Sequence, residues 1–215
     1  MNDRFNSHLF WGSYSPLSLL TASALIILAS SRLAFALICA GALVWVFGLT
    51  SLIFSAARKF LPENGKMIIL LFLSAFMCGI FMIAAGLVNP LLIFGSAFFL
   101  LLIPPCFLST GLFEADRNIE PEDALSRSLL EALVLSLIIV AFALIREPLG
   151  MGTLSFPGGS EGIIEIFGSK DDNSFVLARI LSSSGGGLLL LGYGTALFRY
   201  FQAKSGEAQN YREEM

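Results

Sequence analysis

The chain has 215 residues, of which 56% are hydrophobic and only 13% charged, with a formal net charge of −3 and a mean hydropathy of +0.80. A soluble domain usually carries about 25% charged residues, so this chain has too little charge to cover the surface of a soluble globule. Three cysteines and a single histidine, His8, exclude a disulfide scaffold and a histidine-only metal site. Phosphate-loop, zinc-binding, Ser-His-Asp and basic nucleic-acid-binding patterns are absent from the sequence. The composition predicts an integral membrane protein.

Long uncharged stretches divide the chain into candidate membrane spans. A helix needs about 20 apolar residues to cross the hydrocarbon core of a bilayer. The uncharged stretch 67–113 is long enough for two helices, which we divide at Gly86 and Asn89-Pro90, where the chain can turn. We therefore predict an all-α integral membrane fold, a single polytopic domain over residues 1–215, with six transmembrane helices at about 17–31, 33–55, 67–87, 91–109, 128–145 and 176–200.

The first predicted span is short, and only Arg32 separates it from the second. This spacing indicates a half-inserted or re-entrant first helix, although an ordinary helical hairpin remains an alternative. Spans one to three and four to six form two groups of three. Each group crosses the membrane an odd number of times, so the second group begins on the opposite side from the first and has the opposite orientation. We therefore expect a 3+3 inverted repeat with broken first and fourth helices.

The distribution of basic residues predicts the orientation, since Lys and Arg favour the cytoplasmic side. With six spans, nine basic residues fall on one side and four on the other. Both termini are then cytoplasmic, with residues 201–215 forming a cytoplasmic tail. The loop 146–178 lies outside, and we expect one short amphipathic helix around Ile163–Phe167. The nine are Arg4, Arg58, Lys59, Lys66, Arg117, Arg127, Arg199, Lys204 and Arg212; the four are Arg32, Arg146, Lys170 and Arg179.

Two sequences inside the predicted spans interrupt helices. Pro104 and Pro105 remove two backbone donors, and in lipid the freed carbonyl groups must find partners within the protein. The second is the Ser- and Gly-rich stretch 182–187, where small residues allow close helix packing or line a ligand site. Helix breaks of this kind mark the functional midplane of many transporters.

A few polar or reactive residues lie within the spans. Cys106 follows the double proline directly, where a thiolate next to a helix break could bind a soft metal or an iron–sulfur cluster. Cys39 and Cys78 lie in smooth apolar stretches and are expected to be small buried hydrophobic residues. Glu131 either reaches the headgroup region or forms an intramembrane cation or proton site.

The stretch Arg146-Glu147-Pro148-Leu149-Gly150-Met151-Gly152-Thr153-Leu154 resembles the R-E-x-x-G-x-G-x-L stretch of the Rnf/Nqr family, specifically that of the RnfE and NqrD membrane proteins. Cys106 lies about forty residues before Arg146, as a fourth-helix cysteine does in that family. Residues 50–62 also fit the end of the family's second helix and the loop that follows. The resemblance covers about residues 17–200.

The resemblance implies a six-helix membrane subunit of an ion-translocating electron-transport complex in the bacterial inner membrane. It implies a paralogous six-helix partner and a [2Fe–2S] cluster shared between the two subunits. In that family, each subunit contributes two cysteine ligands to the cluster, one from its first helix and one from its fourth. Cys106 corresponds to the fourth-helix ligand. The first-helix cysteine is absent, because the corresponding stretch reads Leu20-Thr21-Ala22-Ser23-Ala24-Leu25. The chain would be at most one subunit of an oxidoreductase that moves Na⁺ or H⁺.

Two functions therefore follow from the sequence. One is a redox subunit of an Rnf/Nqr-type complex, with Cys106 as an iron–sulfur ligand and Pro104, Pro105, Arg146, Glu147, Gly150 and Gly152 as structural residues. The other is a transporter or assembly subunit on the same scaffold that has lost the cluster. We also expect Arg146 to cap helix carbonyl groups at the non-cytoplasmic end of the fifth span.

Overall fold

The computed structural model describes residues 16–57, 66–109, 121–158, 162–167 and 180–213. Within these residues the chain forms seven α-helices and one two-stranded antiparallel sheet. The elements are α1 (Pro16–Ala29), α2 (Leu33–Ala57), α3 (Lys66–Val88), α4 (Pro90–Leu100), α5 (Ile103–Ser109), α6 (Pro121–Met151), β1 (Leu154–Pro157), β2 (Ile163–Phe167) and α7 (Ser184–Glu213).

Four segments of the described chain are long and apolar enough to cross a membrane: Leu33–Ala57, Lys66–Val88, Pro90–Ser109 and Glu122–Met151. They correspond to the second to fifth predicted spans, so the prediction of a multi-pass membrane protein is confirmed. The first predicted span corresponds to α1, which has 14 residues and is about 21 Å long. The sixth overlaps α7, which runs from Ser184 to Glu213 through the predicted tail, while residues 176–179 lie outside the described residues.

Helix α2 lies at the centre of the described bundle and contacts α3, α4, α5, α6 and β1. Half of its most apolar stretch is buried, against about a quarter in α3 and α6. Two aromatic pairs join α2 to the neighbouring helices: Phe35, near its beginning, meets Phe99 of α4 at 5.6 Å, and Phe47, in its middle, meets Phe107 of α5 at 4.8 Å between ring centroids. The Ser51 and Ser128 hydroxyls, 2.7 Å apart, join α2 to α6. Helix α2 therefore contacts α1, α6 and β1, three of the elements that contribute to the candidate site.

The prediction of an all-α fold is wrong in one segment. Residues 163–167, where we expected a short amphipathic helix, form β2, which pairs with β1 in an antiparallel hairpin. Three of these five residues are isoleucines, whose β-branched side chains favour strands over helices. The alternation of Ile164, Glu165 and Ile166 also suits the two faces of a strand.

The predicted fourth span is broken, as expected, but two residues before the prolines. Helix α4 ends at Leu100, and α5 begins at Ile103, so that Pro104 and Pro105 lie in the first turn of α5. Backbone N–H groups in a first helical turn have no partner within the helix, so proline is tolerated there. The carbonyl of Leu100 accepts a hydrogen bond from the Cys78 thiol of α3 at 3.3 Å. A freed carbonyl is thus satisfied inside the protein, as predicted.

Candidate functional site at a polar junction

Four buried polar residues meet where α1, α2, α6, β1 and the segment before α7 come together. They are Arg146 (2% exposed), Glu147 (1%), Ser30 (1%) and Ser155 (0%), and we call this set the polar junction. Arg146 and Glu147 lie five and four residues before the end of α6, which continues to Met151 although it contains Pro148. The junction therefore lies beside the end of a candidate span.

Arg146 binds the ends of two helical segments at once. Its Nη1 donates to the carbonyl of Ile27, in the last turn of α1, and to the Ser30 hydroxyl at 3.2 Å. Its Nε and Nη2 donate to the carbonyls of Leu181, Ser182 and Ser183 at 2.9–3.0 Å. The last carbonyl groups of a helix carry partial negative charge, so a guanidinium there is favourable. Arg146 therefore binds carbonyl groups at the end of α1 and in residues 181–183, whereas we expected it to cap those at the end of the fifth span.

Glu147 binds the beginning of α2. Its Oε2 accepts a hydrogen bond from the backbone N–H of Leu33 at 2.7 Å, which satisfies one of the free donors of that first turn. A carboxylate is favourable at this positive end of the helix dipole. Its other oxygen, Oε1, is buried and has no hydrogen-bond partner among the described residues. The two adjacent charges of α6 therefore bind helix ends of opposite polarity.

The β-hairpin covers the same end of the bundle. The Ser155 hydroxyl of β1 accepts from the backbone N–H of Ala34 at 3.4 Å, the second donor in the first turn of α2. Arg32, in the turn between α1 and α2, pairs with Glu165 of β2 at 3.5 Å. At the other end of the hairpin, Asn89 donates from Nδ2 to the carbonyl of Gly162 at 3.1 Å. The hairpin thus connects the α1–α2 turn to the α3–α4 turn.

Two glycines of the 146–154 stretch have specific structural roles. A Cβ at Gly150 would come within 2.9 Å of the backbone nitrogen of Ser182, in the segment whose carbonyl groups bind Arg146. Gly152 has φ of +66°, and its N–H bonds to the carbonyl of Pro148 at 3.0 Å, which ends α6. A side chain at Gly150 would therefore clash with the backbone of Ser182, and one at Gly152 would strain its own backbone.

The predicted break at 182–187 is also found. Ser183 lies outside the helices, and its hydroxyl accepts from the Gly186 N–H at 3.2 Å, which caps the beginning of α7. A Cβ at Gly187 would come within 3.1 Å of the Arg146 guanidinium and 3.2 Å of Ile27. The small residues here allow the start of α7 to approach Arg146 closely.

Cys106 faces the protein interior and is only 2% exposed. It belongs to one buried cluster with Cys39 and Cys78, and all three thiols are free. In the part of the chain that the structure describes, no group of three or more His, Cys, Asp or Glu side chains is placed to hold a metal ion. A [2Fe–2S] cluster usually takes four ligands, so the described residues do not form a complete site. A complete site around Cys106 would need ligands from outside the described residues.

The sequence analysis missed the roles of Ser30 and Ser155, and it gave no partner for Glu147. These contacts join residues 114 to 121 positions apart, and no local pattern indicates such pairings. One usable signal existed. The Ser30-Ser31-Arg32 turn interrupts an otherwise apolar stretch, and polar residues at such a turn can accept or donate across helix ends.

Comparison of the chain with protein-family models and with curated proteins finds no match.

Proposed function

We propose that this multi-pass membrane protein is a subunit of an Rnf/Nqr-type ion-translocating electron-transport complex of the bacterial inner membrane. The observation that carries the proposal is the polar junction. The residues through which the chain resembles the family, from Arg146 to Gly152, hold the ends of α1, α2 and α6 in one arrangement. Because these residues hold helix ends, the resemblance at these positions supports a shared architecture within the proposal.

The packing of the helices supports a 3+3 inverted repeat within this proposal. In the first half, α1 is short and α2 is central. In the second half, α4 and α5 together form one broken helix, and α6 packs along α2. Helix α3 packs on α4 and α5, and α7 packs on α1, so each third helix contacts the broken or short helix of the other half. This exchange is what a pseudo-two-fold relation between the halves would produce.

The redox role is assigned to Cys106. In the proposed complex, its thiolate is one ligand of a [2Fe–2S] cluster shared with a paralogous six-helix subunit, and the cluster supplies one-electron transfer across the bilayer. Cys106 follows the break between α4 and α5 and lies against Phe107 and the centre of α2. This chain covers Cys106 almost fully, so in the proposed complex the helices around it must move before a partner's ligands can reach the thiol.

A second candidate function is a transporter or assembly subunit on the same scaffold that has no cluster. Two observations favour it. The first-helix cysteine of the family is absent, and the Cys78 thiol is used as a hydrogen-bond donor to Leu100. In this case the three buried cysteines are packing residues, and the ion-moving part of the function resides in other polar groups.

The test is the iron and acid-labile sulfide content of the complex purified through this chain, together with the identity of the subunits that copurify. The redox proposal predicts a membrane-embedded iron–sulfur signal that Cys106→Ala abolishes. The matched variants Cys39→Ala and Cys78→Ala should keep that signal. A complex without membrane-embedded iron, or a Cys106→Ala variant that behaves as wild type, would assign the chain to the cluster-free candidate.

A further inference from the structure

A long groove runs between α2 and α6, away from the polar junction. It has a volume of about 740 Å³ and is lined by seven residues of α2, from Ala40 to Leu52, and three of α6, from Leu125 to Ser136. Ser136 is the single polar residue among them. Both helices are candidate membrane spans, so the groove lies at membrane depth.

Small residues of α2 create this groove. Gly41 and Gly48 lie seven residues apart, close to two helical turns, and have no side chain to fill the space. A Cβ at Gly41 would meet only the ring of Phe81, at an ordinary contact distance of 3.8 Å. Trp45 and Leu133, which also line the groove, are 41% and 56% exposed. The helices of this chain therefore leave the groove open.

The dimensions of the groove fit a hydrocarbon chain better than a helix. Residues 40–52 and 125–136 run along it, which at 1.5 Å per residue gives a length of about 17 Å. A volume of about 740 Å³ over this length corresponds to a cross-section of about 44 Å², or a width of about 7.5 Å. An α-helix with its side chains is about 10–12 Å wide, whereas packed carbon atoms approach to about 4 Å. A partner helix could cover the groove, but only a narrower chain can enter it.

The groove extends from the middle of the membrane to one surface. Ser136 lies at the centre of the predicted span 128–145, and its hydroxyl donates to the Ala40 carbonyl at 3.4 Å. Leu125, at the other end, lies three residues before that span. The length of about 17 Å is close to half of the roughly 30 Å hydrocarbon core. The groove therefore has the depth of one leaflet.

The surface end of the groove carries a negative charge. Glu122 is exposed and lies three residues before Leu125, on the same face of α6 and at the level of the headgroups. Arg127 lies four residues after Asp123, the spacing at which opposite charges are neighbours on a helix, so it compensates Asp123. Among the described residues, no basic side chain forms an ion pair with Glu122. A cationic headgroup would complement this carboxylate.

We propose that the groove binds a phospholipid with a primary ammonium headgroup, whose acyl chain lies between α2 and α6 and whose ammonium binds Glu122. Apolar contact alone does not select one lipid, because every lipid offers it. The headgroup does: a primary ammonium has three donors for a carboxylate, a quaternary ammonium has none, and an anionic headgroup is repelled. Binding makes and breaks no covalent bond, and it does not depend on Cys106 or on electron transfer.

The fluorescence of Trp45, which lines the groove, provides the test. The chain contains two tryptophans, so Trp11→Phe leaves Trp45 as the only one. This full-length variant is reconstituted in phosphatidylcholine vesicles with increasing fractions of a phospholipid whose acyl chains carry bromine, a quencher of tryptophan. The brominated lipid is phosphatidylethanolamine, phosphatidylcholine or phosphatidylglycerol. We expect brominated phosphatidylethanolamine to reach half-maximal quenching at a mole fraction about two- to five-fold lower than the others, as an exposed ion pair allows.

Two variants separate the headgroup contact from the groove. Glu122→Gln should remove the preference for phosphatidylethanolamine but keep the quenching, because acyl chains still enter the groove. Gly41→Leu places a side chain in the groove and should also remove the preference. The matched control is Gly79→Leu on α3, where a Cβ would meet nothing within 4 Å, and it should keep the preference.

Equal quenching by the three lipids at every mole fraction would mean ordinary contact with the bilayer and would overturn the proposal. An unchanged preference in Glu122→Gln or in Gly41→Leu would also overturn it, because the lipid would then bind elsewhere. If no brominated lipid quenches Trp45, protein covers the groove and the proposal is wrong. Glu122 is exposed, so Glu122→Gln gives a result even if Gly41→Leu does not accumulate. Iron analysis is a separate measurement, so failure of the redox proposal would not be mistaken for failure of this one.

Discussion

At the scale of single residues, Arg146 connects parts of the chain that are far apart in sequence. Its guanidinium binds four carbonyl groups and one hydroxyl, from α1, the α1–α2 turn and residues 181–183. Five donors in one planar fork suit this arrangement, and a lysine ammonium has only three. Replacement of this side chain therefore leaves buried carbonyl groups without partners.

We expect Arg146→Leu to destabilise the chain by at least about 3 kcal/mol, because each lost hydrogen bond to a charged group is worth about 1.5–3 kcal/mol. Arg146→Lys should lie between this variant and wild type. Thermal unfolding in detergent and the amount of chain in the membrane are the measurements. Arg127→Leu, on an exposed part of α6, is the control and should resemble wild type. Equal stability of Arg146→Leu and Arg127→Leu would contradict the capping role.

Cys78 provides a second prediction at this scale, since its thiol donates to the Leu100 carbonyl at the break between α4 and α5. Cys78→Ser keeps a donor at this place, whereas Cys78→Ala removes it. We expect Cys78→Ala to be less stable than Cys78→Ser by about 0.5–1 kcal/mol, the usual value of one such bond. Unfolding of the two variants in the same detergent measures the difference. The reverse order of stability would show that packing, not the hydrogen bond, matters here.

At the scale of elements, the junction depends on how closely α6 approaches residues 180–183. Gly150 permits this approach, because a side chain there would meet the backbone of Ser182 within 2.9–3.1 Å. Backbone atoms cannot move aside as the end of a flexible side chain can. The carbonyl of the same Ser182 binds Arg146, so a displacement at Gly150 also disturbs the guanidinium.

Gly150→Ala is therefore expected to cost about 1–3 kcal/mol, the usual penalty of overpacking. Gly192→Ala is the matched control, since a Cβ at Gly192 of α7 meets nothing within 4 Å. That variant should be neutral or more stable by up to about 1 kcal/mol, because alanine has the higher helix propensity. Unfolding temperatures of both variants, measured side by side, test the prediction. It fails if Gly150→Ala is as stable as Gly192→Ala.

At the scale of the whole molecule, the number of membrane crossings determines which segments share a side. Three of the four candidate spans, Lys66–Val88, Pro90–Ser109 and Glu122–Met151, lie between positions 62 and 165. Because three is odd, these two positions should be on opposite sides of the membrane, whether or not α1 and α7 also cross. The excess of Lys and Arg predicts that position 62 is cytoplasmic.

The corresponding experiment places a single cysteine at position 62 or 165 and labels it from each side of the membrane. Native Cys39, Cys78 and Cys106 are buried and should give little background. We expect position 62 to be labelled from the cytoplasmic side and position 165 from the opposite side. Labelling of both positions from the same side would exclude the predicted topology.

The sequence by itself determined the class of the protein and the places where its helices break. Scarcity of charge and the length of the apolar stretches indicate a membrane protein, because a helix needs a fixed number of apolar residues to cross a bilayer. The breaks near Pro104-Pro105 and at 182–187 follow from local chemistry, since proline lacks a donor and serine caps helices. The position of Arg146 near a helix end also followed from the sequence, but the carbonyl groups that it binds belong to other segments.

Only the tertiary structure decided which groups meet. The partners of Arg146 come from residues 27–30 and 181–183, Glu147 binds Leu33, and Cys78 binds Leu100. The hairpin replaced a predicted helix, because its isoleucines favour a strand and β1 supplies the pairing partner. A sequence pattern records the local preference of a residue and the face it prefers to bury. It does not indicate which distant carbonyl or N–H groups will still lack a partner once the helices have packed. Groups of this kind form the polar junction.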